Sequence, residues 1–272
     1  MADSPRITSR QNQRVKDAVQ LRTSRGRREQ GRFIIDGTRE IARALAAGIQ
    51  SVEAFVCDAL CHSPAAHAAL DKLRAAGAEL LPVTTDVHAK LCFGEREDEG
   101  IIVIARTPAR ALARLQLPSA PFVAVMEGVE KPGNLGAILR TADAAGVDAV
   151  IVADGRTDLF NPNVIRASLG TVFRASVVEA TTAATVDWLR AHQIRTLAAR
   201  PNADALYTTA DMRGGVAIAL GSEAAGLSDS WNAAENKAIR IPMHGLADSL
   251  NVSTTAAVLF YEALRQRSDQ PT

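Results

Sequence analysis

Two rhythms of apolar and polar positions run along the chain, separated by prolines. In the first hundred residues, short apolar runs at Phe33–Ile35, Val52–Cys57, Leu80–Val83 and Ile101–Ala105 predict strands. Between them, Ile41, Ala44 and Leu45 have helical spacing, which predicts a helix capped by Thr38 and closed by Gly48. A second helix is expected over Ala65–Ala76, ended by Gly77. These elements make a small α/β domain over residues 1–106. Thr107-Pro108 through Pro118-Ser119-Ala120-Pro121 breaks both periodicities and predicts a linker over 107–120. Beyond it, Phe122–Met126, Val147–Val152, Arg195–Ala199, Val216–Leu220 and Ala238–Ile241 are near-continuous apolar runs. Helical spacing appears at Leu135–Ala145, Val164–Leu169, Thr185–His192 and Asn251–Arg265. Strands apolar on both sides need cover on both faces, so residues 121–267 are expected to form a parallel sheet between helices.

Composition narrows the setting. No apolar run approaches the roughly 18–20 residues of a membrane span. Residues 1–30 lack the apolar centre of an export signal. Three cysteines, Cys57, Cys61 and Cys92, form no paired framework and suit a reducing cytoplasm. Cys57-x₃-Cys61-His62 has no second ligand pair, so no metal is expected there. Net charge is only +1, yet it is unevenly spread. Nine basic residues, Arg10, Arg14, Arg25, Arg27, Arg28 and Arg32 among them, face three acidic ones in the first 32 positions. That stretch carries +6, and the remainder −5. A basic arm against an acidic body fits a polyanion partner, and equally a solvated helix surface.

Three polar clusters follow predicted strands in the second domain. Asn134 and Arg140 come after Phe122–Met126, with Lys131-Pro132-Gly133 making the turn. Asn134 is placed at the helix start as a cap, and Arg140 beside apolar Ile138, Leu139 and Ala142 reads as an anion contact. Gly221-Ser222-Glu223 follows Val216–Leu220, and Ile241-Pro242-Met243 through Ser249-Leu250-Asn251 follows the last strand. Ligands of open α/β sheets bind outside the carboxyl ends of the strands, so the three clusters imply one site. The usual nucleotide motifs are absent: no G-x-x-x-x-G-K-[ST] occurs, and Gly133 with Gly136 does not complete G-x-G-x-x-G. That disfavours a nicotinamide-dependent enzyme. No histidine is placed as a base for Ser222.

The order Asn134-x-Gly136-x₃-Arg140, Gly221-Ser222-Glu223-x₂-Gly226-Leu227, Ile241-Pro242-Met243…Ser249-Leu250-Asn251 resembles the three motifs of the SpoU (TrmH-type) RNA ribose 2′-O-methyltransferases, within the SPOUT superfamily. The amino-terminal part is similar to the ribosomal-protein-like RNA-binding domain of members acting on ribosomal RNA. Asp36-Gly37 stands where they carry an acidic residue, commonly glutamate, and then glycine. The layout is most similar to ribosome-methylating antibiotic-resistance enzymes of the avilamycin or thiostrepton type.

The resemblance implies a carboxyl-terminal trefoil knot, a homodimer, and S-adenosyl-L-methionine as cofactor. It implies methyl transfer to a ribose 2′-hydroxyl, with 23S ribosomal RNA the expected substrate and antibiotic resistance a conceivable outcome. A transfer RNA methyltransferase and a non-catalytic RNA-binding or ribosome assembly factor are the alternatives. Carried over by position, Ala198, Gly221, Ile241, Met243 and Leu250 are expected to hold the cofactor. Asn134, Arg140, Glu223, Ser249 and Asn251 are the expected catalytic set, joined by Arg166 reaching across from the other protomer. An arginine base is chemically awkward, because a guanidinium stays protonated in ordinary sites. Arg140 therefore reads best as a phosphate clamp that also stabilises a forming alkoxide.

Overall fold

The computed structural model describes residues 5–93, 99–233 and 236–268. Its strands are β1 (Arg32–Asp36), β2 (Ser51–Val56), β3 (Glu79–Pro82), β4 (Ile101–Arg106) and β5 (Phe122–Glu127), then β6 (Ala149–Ala153), β7 (Val177–Ala180), β8 (Arg195–Ala199), β9 (Val216–Leu220) and β10 (Lys237–Ile239). Helices α1 (Gln13–Gln20), α2 (Ser24–Gln30), α3 (Thr38–Ala46), α4 (Pro64–Ala75) and α5 (Thr85–Leu91) belong to the first part of the chain. The second part contributes α6 (Pro132–Ala144), α7 (Pro162–Ala167), α8 (Thr182–Ala191) and α9 (Val252–Ser268).

The chain divides into two compact units. The first unites Met1–Ala109 with Asp158–Phe173, so a segment that lies between β6 and β7 in sequence folds with the amino-terminal residues. Its four-stranded sheet has the order β1-β4-β2-β3, antiparallel except for the parallel β2–β3 pair. Phe33 of β1 stacks on Phe160 and Phe173 of the inserted segment at 4.5 and 6.0 Å between ring centroids. Sequence periodicity did not anticipate α1, α2 or α5. All three are short and polar, and α1 is held by Val15 and Ala18 packing into a core that also takes Val87 and Leu91 of α5. Thr38 is the first residue of α3 rather than its cap; Gly37 takes the cap position, and the Thr38 N–H donates to the Glu99 carboxylate at 2.5 Å.

The second unit, Arg110–Thr157 with Arg174–Thr272, holds a six-stranded, wholly parallel sheet of order β10-β8-β9-β5-β6-β7. Its central strands are buried throughout, as continuous apolar runs require. The proline-marked stretch is no free tether, because Leu112, Leu115 and Leu117 pack against this unit's core. No described helix is long and apolar enough to cross a membrane.

Candidate active site

β5 lies at the middle of the parallel sheet, with β6 and β7 to one side and β9, β8 and β10 to the other. Such a switch point is where open α/β sheets bind ligands. A cavity of about 460 Å³ opens on the β9, β8 and β10 side of that point, lined by the carboxyl ends of those three strands and by Asp248–Asn251 ahead of α9. Gly221, Ile241, Met243 and Leu250 all line it, as does Ser249. Ala198 does not; it is buried in the sheet core, and Ala199 and Arg200 form that wall instead. Strand alternation turns each successive side chain to the opposite face, which explains the offset.

Gly221 is required by close approach. A Cβ there would sit 2.1 Å from the Gly226 carbonyl carbon and 2.3 Å from the Leu227 nitrogen. Ser222 and Gly226 exchange backbone hydrogen bonds of 3.2 and 3.0 Å, closing a turn that projects Glu223. Gly226 supports it with φ +67°, a conformation that favours glycine.

Side chains from the first turn of α6 and from two strand-end loops meet beside the cavity. The Asn134 amide donates to Glu223, and Asn251 Nδ2 donates to Asn134 Oδ1 at 3.4 Å. Asn251 Oδ1 accepts from the Ser253 N–H and hydroxyl at 2.8 and 2.6 Å, which fixes its amide. Lys131 Nζ lies 2.6 Å from Glu223 Oε2 and lines the cavity. Hydrogen bonding and charge from Glu223 raise the Lys131 ammonium above its ordinary value. Sequence spacing marks Lys131 only as a turn residue; its place three positions before Asn134 is the signal for a further role. Lys131 also occupies the cap position of α6, so Asn134 lies inside the first turn and its amide is free for Glu223.

Arg140 faces away from its apolar neighbours. Ile138, Leu139 and Ala142 are buried, but Arg140 is on the exposed face of α6. It does not line the cavity, and among the described residues it has no hydrogen bond or ion pair. Arg166 lies on α7 in the first unit, where its Nη1 donates to the Phe93 carbonyl at 2.8 Å.

The basic amino-terminal stretch is folded rather than an arm. Arg27 is 5% exposed and forms a two-pronged pair with Asp158, with Nε–Oδ1 2.9 Å and Nη2–Oδ2 2.5 Å. It therefore cannot present its charge to a polyanion. Arg14 pairs with Glu79 at 2.8 Å and Glu53 at 3.4 Å, Arg32 with Glu53 at 3.6 Å, and Arg10 with Asp86. Burial pushes the Glu53 carboxyl up, although Arg14 and Arg32 pull it down. Arg25 and Arg28 are exposed; Arg25 pairs with Glu29 one turn on, and Arg28 with the Ser24 hydroxyl. Cys57 and Cys61 are buried, and no cluster of three or more metal-type side chains occurs among the described residues.

Known proteins share both units. Residues 12–101 match the MRM3-like substrate binding domain. A 23S rRNA (guanosine(2553)-2′-O)-methyltransferase of Bacillus subtilis is 29% identical over 94% of this chain and 97% of its own. A 23S rRNA (uridine(2479)-2′-O)-methyltransferase of Streptomyces viridochromogenes is also 29% identical, covering 96% and 92%. Among solved structures, an RNA 2′-O ribose methyltransferase is 44% identical with a TM-score of 0.83, covering 96% of this chain and 99% of that one. An rRNA methyltransferase of Sinorhizobium meliloti bound to AdoMet is 28% identical with a TM-score of 0.86, covering 96% and 98%. The site itself lies within residues 121–261, over half of the chain, and these match the SpoU rRNA methylase family, to which this protein belongs.

Proposed function

We propose that the protein transfers a methyl group from S-adenosyl-L-methionine to a ribose 2′-hydroxyl of 23S ribosomal RNA. The observation that carries this reading is the joining of Asn134, in the first turn of α6, to Glu223 and Asn251, two residues that line one cavity. The cavity fits the cofactor: its volume lies in the usual range for small-molecule sites, and Leu220, Ile239, Ile241, Leu250 and Leu259 offer apolar walls.

When bound, the cofactor supplies an electrophilic methyl carbon on a sulfonium. The chain's part is to position and to stabilise charge. Ile241 and Leu250 would sandwich the adenine, and backbone groups of the loops would read its edge. Asn134, held between Glu223 and Asn251, orients the ribose so that its oxygen lies in line with the methyl carbon. Arg140, exposed on α6, is free to grip an RNA phosphate and steady the forming alkoxide. The trefoil threading, and a second copy contributing Arg166, belong to the same reading. Leu246 is fully exposed and Tyr261 half exposed on the carboxyl-terminal segment, which is apolar surface for another copy to cover.

Labelled cofactor incubated with 23S ribosomal RNA tests the proposal, with reverse-transcription stops at low dNTP locating the modified nucleotide. Label on transfer RNA alone would move the substrate class. Cofactor binding without transfer to either RNA would favour an assembly factor. Calorimetry with no heat from S-adenosyl-L-methionine would end the reading.

A further inference from the structure

We infer that Glu127 and Arg200 are positioning residues of the site, locking the loop that carries Gly221 and Glu223 by holding one of its peptide groups from opposite sides. The inference rests on the function proposed above. Glu127 ends β5 and is only 8% exposed. Its Oε2 accepts from the Ser228 N–H at 2.7 Å, and its Oε1 accepts from the Ser228 and Thr182 hydroxyls at 2.7 and 2.9 Å. Arg200 follows β8. Its Nη1 donates to the Leu227 carbonyl at 3.0 Å, and its Nη2 to the Ser228 carbonyl and Asn232 Oδ1 at 2.9 and 2.8 Å.

The Leu227 carbonyl and the Ser228 N–H belong to one peptide group, and across a trans peptide they point in opposite directions. A carboxylate thus sits on the positive end of that peptide dipole and a guanidinium on its negative end. Turning the plane over would set carboxylate against carbonyl and guanidinium against N–H. The lock therefore has one orientation. It also answers for the buried carboxylate, whose charge is met by three donors rather than by an ion pair among the described residues.

The locked peptide comes one residue after Gly226, the closing point of the turn that projects Glu223. Gly221 packs on the backbone of Gly226 and Leu227 too tightly for any side chain. A shift of the Leu227–Ser228 peptide is consequently passed to the cofactor wall at Gly221 and to the Glu223 carboxylate. Neither Glu127 nor Arg200 falls within the three motif clusters, so this support comes from strand ends that the motifs do not mark.

The test uses the full chain and the variants Arg200→Ala, Glu127→Ala, Glu127→Gln and Arg200→Ala/Glu127→Ala. Calorimetry gives the affinity for S-adenosyl-L-methionine, and hydrogen exchange reports the Ser228 amide against the sheet. Each alanine variant should weaken the cofactor about tenfold, with exchange quickened in the loop and not in β5 or β9. Glu127→Gln keeps an acceptor for the Ser228 N–H and should stay within about threefold of wild type. The double variant should lose little more than the larger single loss, because both residues hold one peptide. Unchanged affinity in folded Arg200→Ala, additive losses, or protection lost evenly across the sheet would overturn the inference. Should Glu127→Ala fail to fold, Arg200→Ala and Glu127→Gln decide the matter. Wild-type protein that binds no cofactor would instead overturn the proposed function, and this inference with it.

Discussion

Replacing Arg27 by alanine separates two readings of the basic amino-terminal stretch. If Arg27 serves RNA, the change lowers RNA affinity and leaves the fold alone. The structure predicts the reverse. The substitution removes two charge-assisted bonds to Asp158, at 2.9 and 2.5 Å, and a third from Nη1 to the Leu21 carbonyl at 2.8 Å. Stranding one member of a buried ion pair costs about 3–5 kcal/mol. The Asp158 side chain is 32% exposed, so water takes up part of its charge, and about 2–3 kcal/mol is expected. At 1.36 kcal/mol per tenfold, that is a roughly 30- to 150-fold fall in exchange protection. The assay is peptide-level hydrogen exchange over β1 and β4; Trp188 and Trp231, both in the second unit, make intrinsic fluorescence a poor reporter of this change. Arg25→Ala is the control: its side chain is 82% exposed and its pair with Glu29 is worth about 0.5 kcal/mol or less. A protein with Arg27→Ala that keeps full protection, yet loses about one unit of salt dependence in RNA binding, would refute the reasoning.

Arg140→Ala should abolish methyl transfer while leaving cofactor affinity and melting temperature unchanged, since Arg140 is exposed and unpartnered among the described residues; retained transfer, measured with labelled cofactor, would remove it from the mechanism. Gly221→Ala should lose cofactor binding by calorimetry, because a Cβ 2.1 Å from the Gly226 carbonyl carbon forces the loop open. Burial pushes the Cys61 thiol up to about 11, so it should resist alkylation at pH 8 in the folded protein and react on unfolding. An unfolded cysteine releases its proton near 8.5, so the stability from keeping Cys61 protonated is complete below that pH. It drains away as pH rises towards about 11, which denaturant titrations at pH 8 and 10.5 would detect.

Most of the parallel sheet was legible in the chain because strands buried on both faces must be apolar throughout. The predicted bounds of β8 and β9 coincide with those observed, Arg195–Ala199 and Val216–Leu220. Edge strand β7 has only four residues, two of them buried, and gives periodicity nothing to act on. The glycines and amides of the site were visible because they stand at strand ends in fixed order. The contrast between buried Leu139 and exposed Arg140 follows from helix geometry: a helix turns about 100° per residue, so the two are adjacent in the chain while facing apart. Arg27 was misjudged because Asp158 lies 131 residues away in sequence, beyond any local pattern. Lys131, Glu127 and Arg200 escaped because their partners are backbone groups or side chains of distant loops.

Leu159, Phe160, Val164, Ile165, Val172 and Phe173 are buried within the first unit, although its sequence has otherwise ended by Ala109. The two units are thus not separate cassettes along the gene. A single crossover in the proline-rich junction, joining the amino-terminal half of one relative to the carboxyl-terminal half of another, would pair Phe33 with foreign partners for its ring stack. Productive recombination needs two exchanges, or a crossover whose parents already agree at residues 158–173. Lineages that shuffle the RNA-binding half are therefore expected to carry matched changes at these two distant stretches.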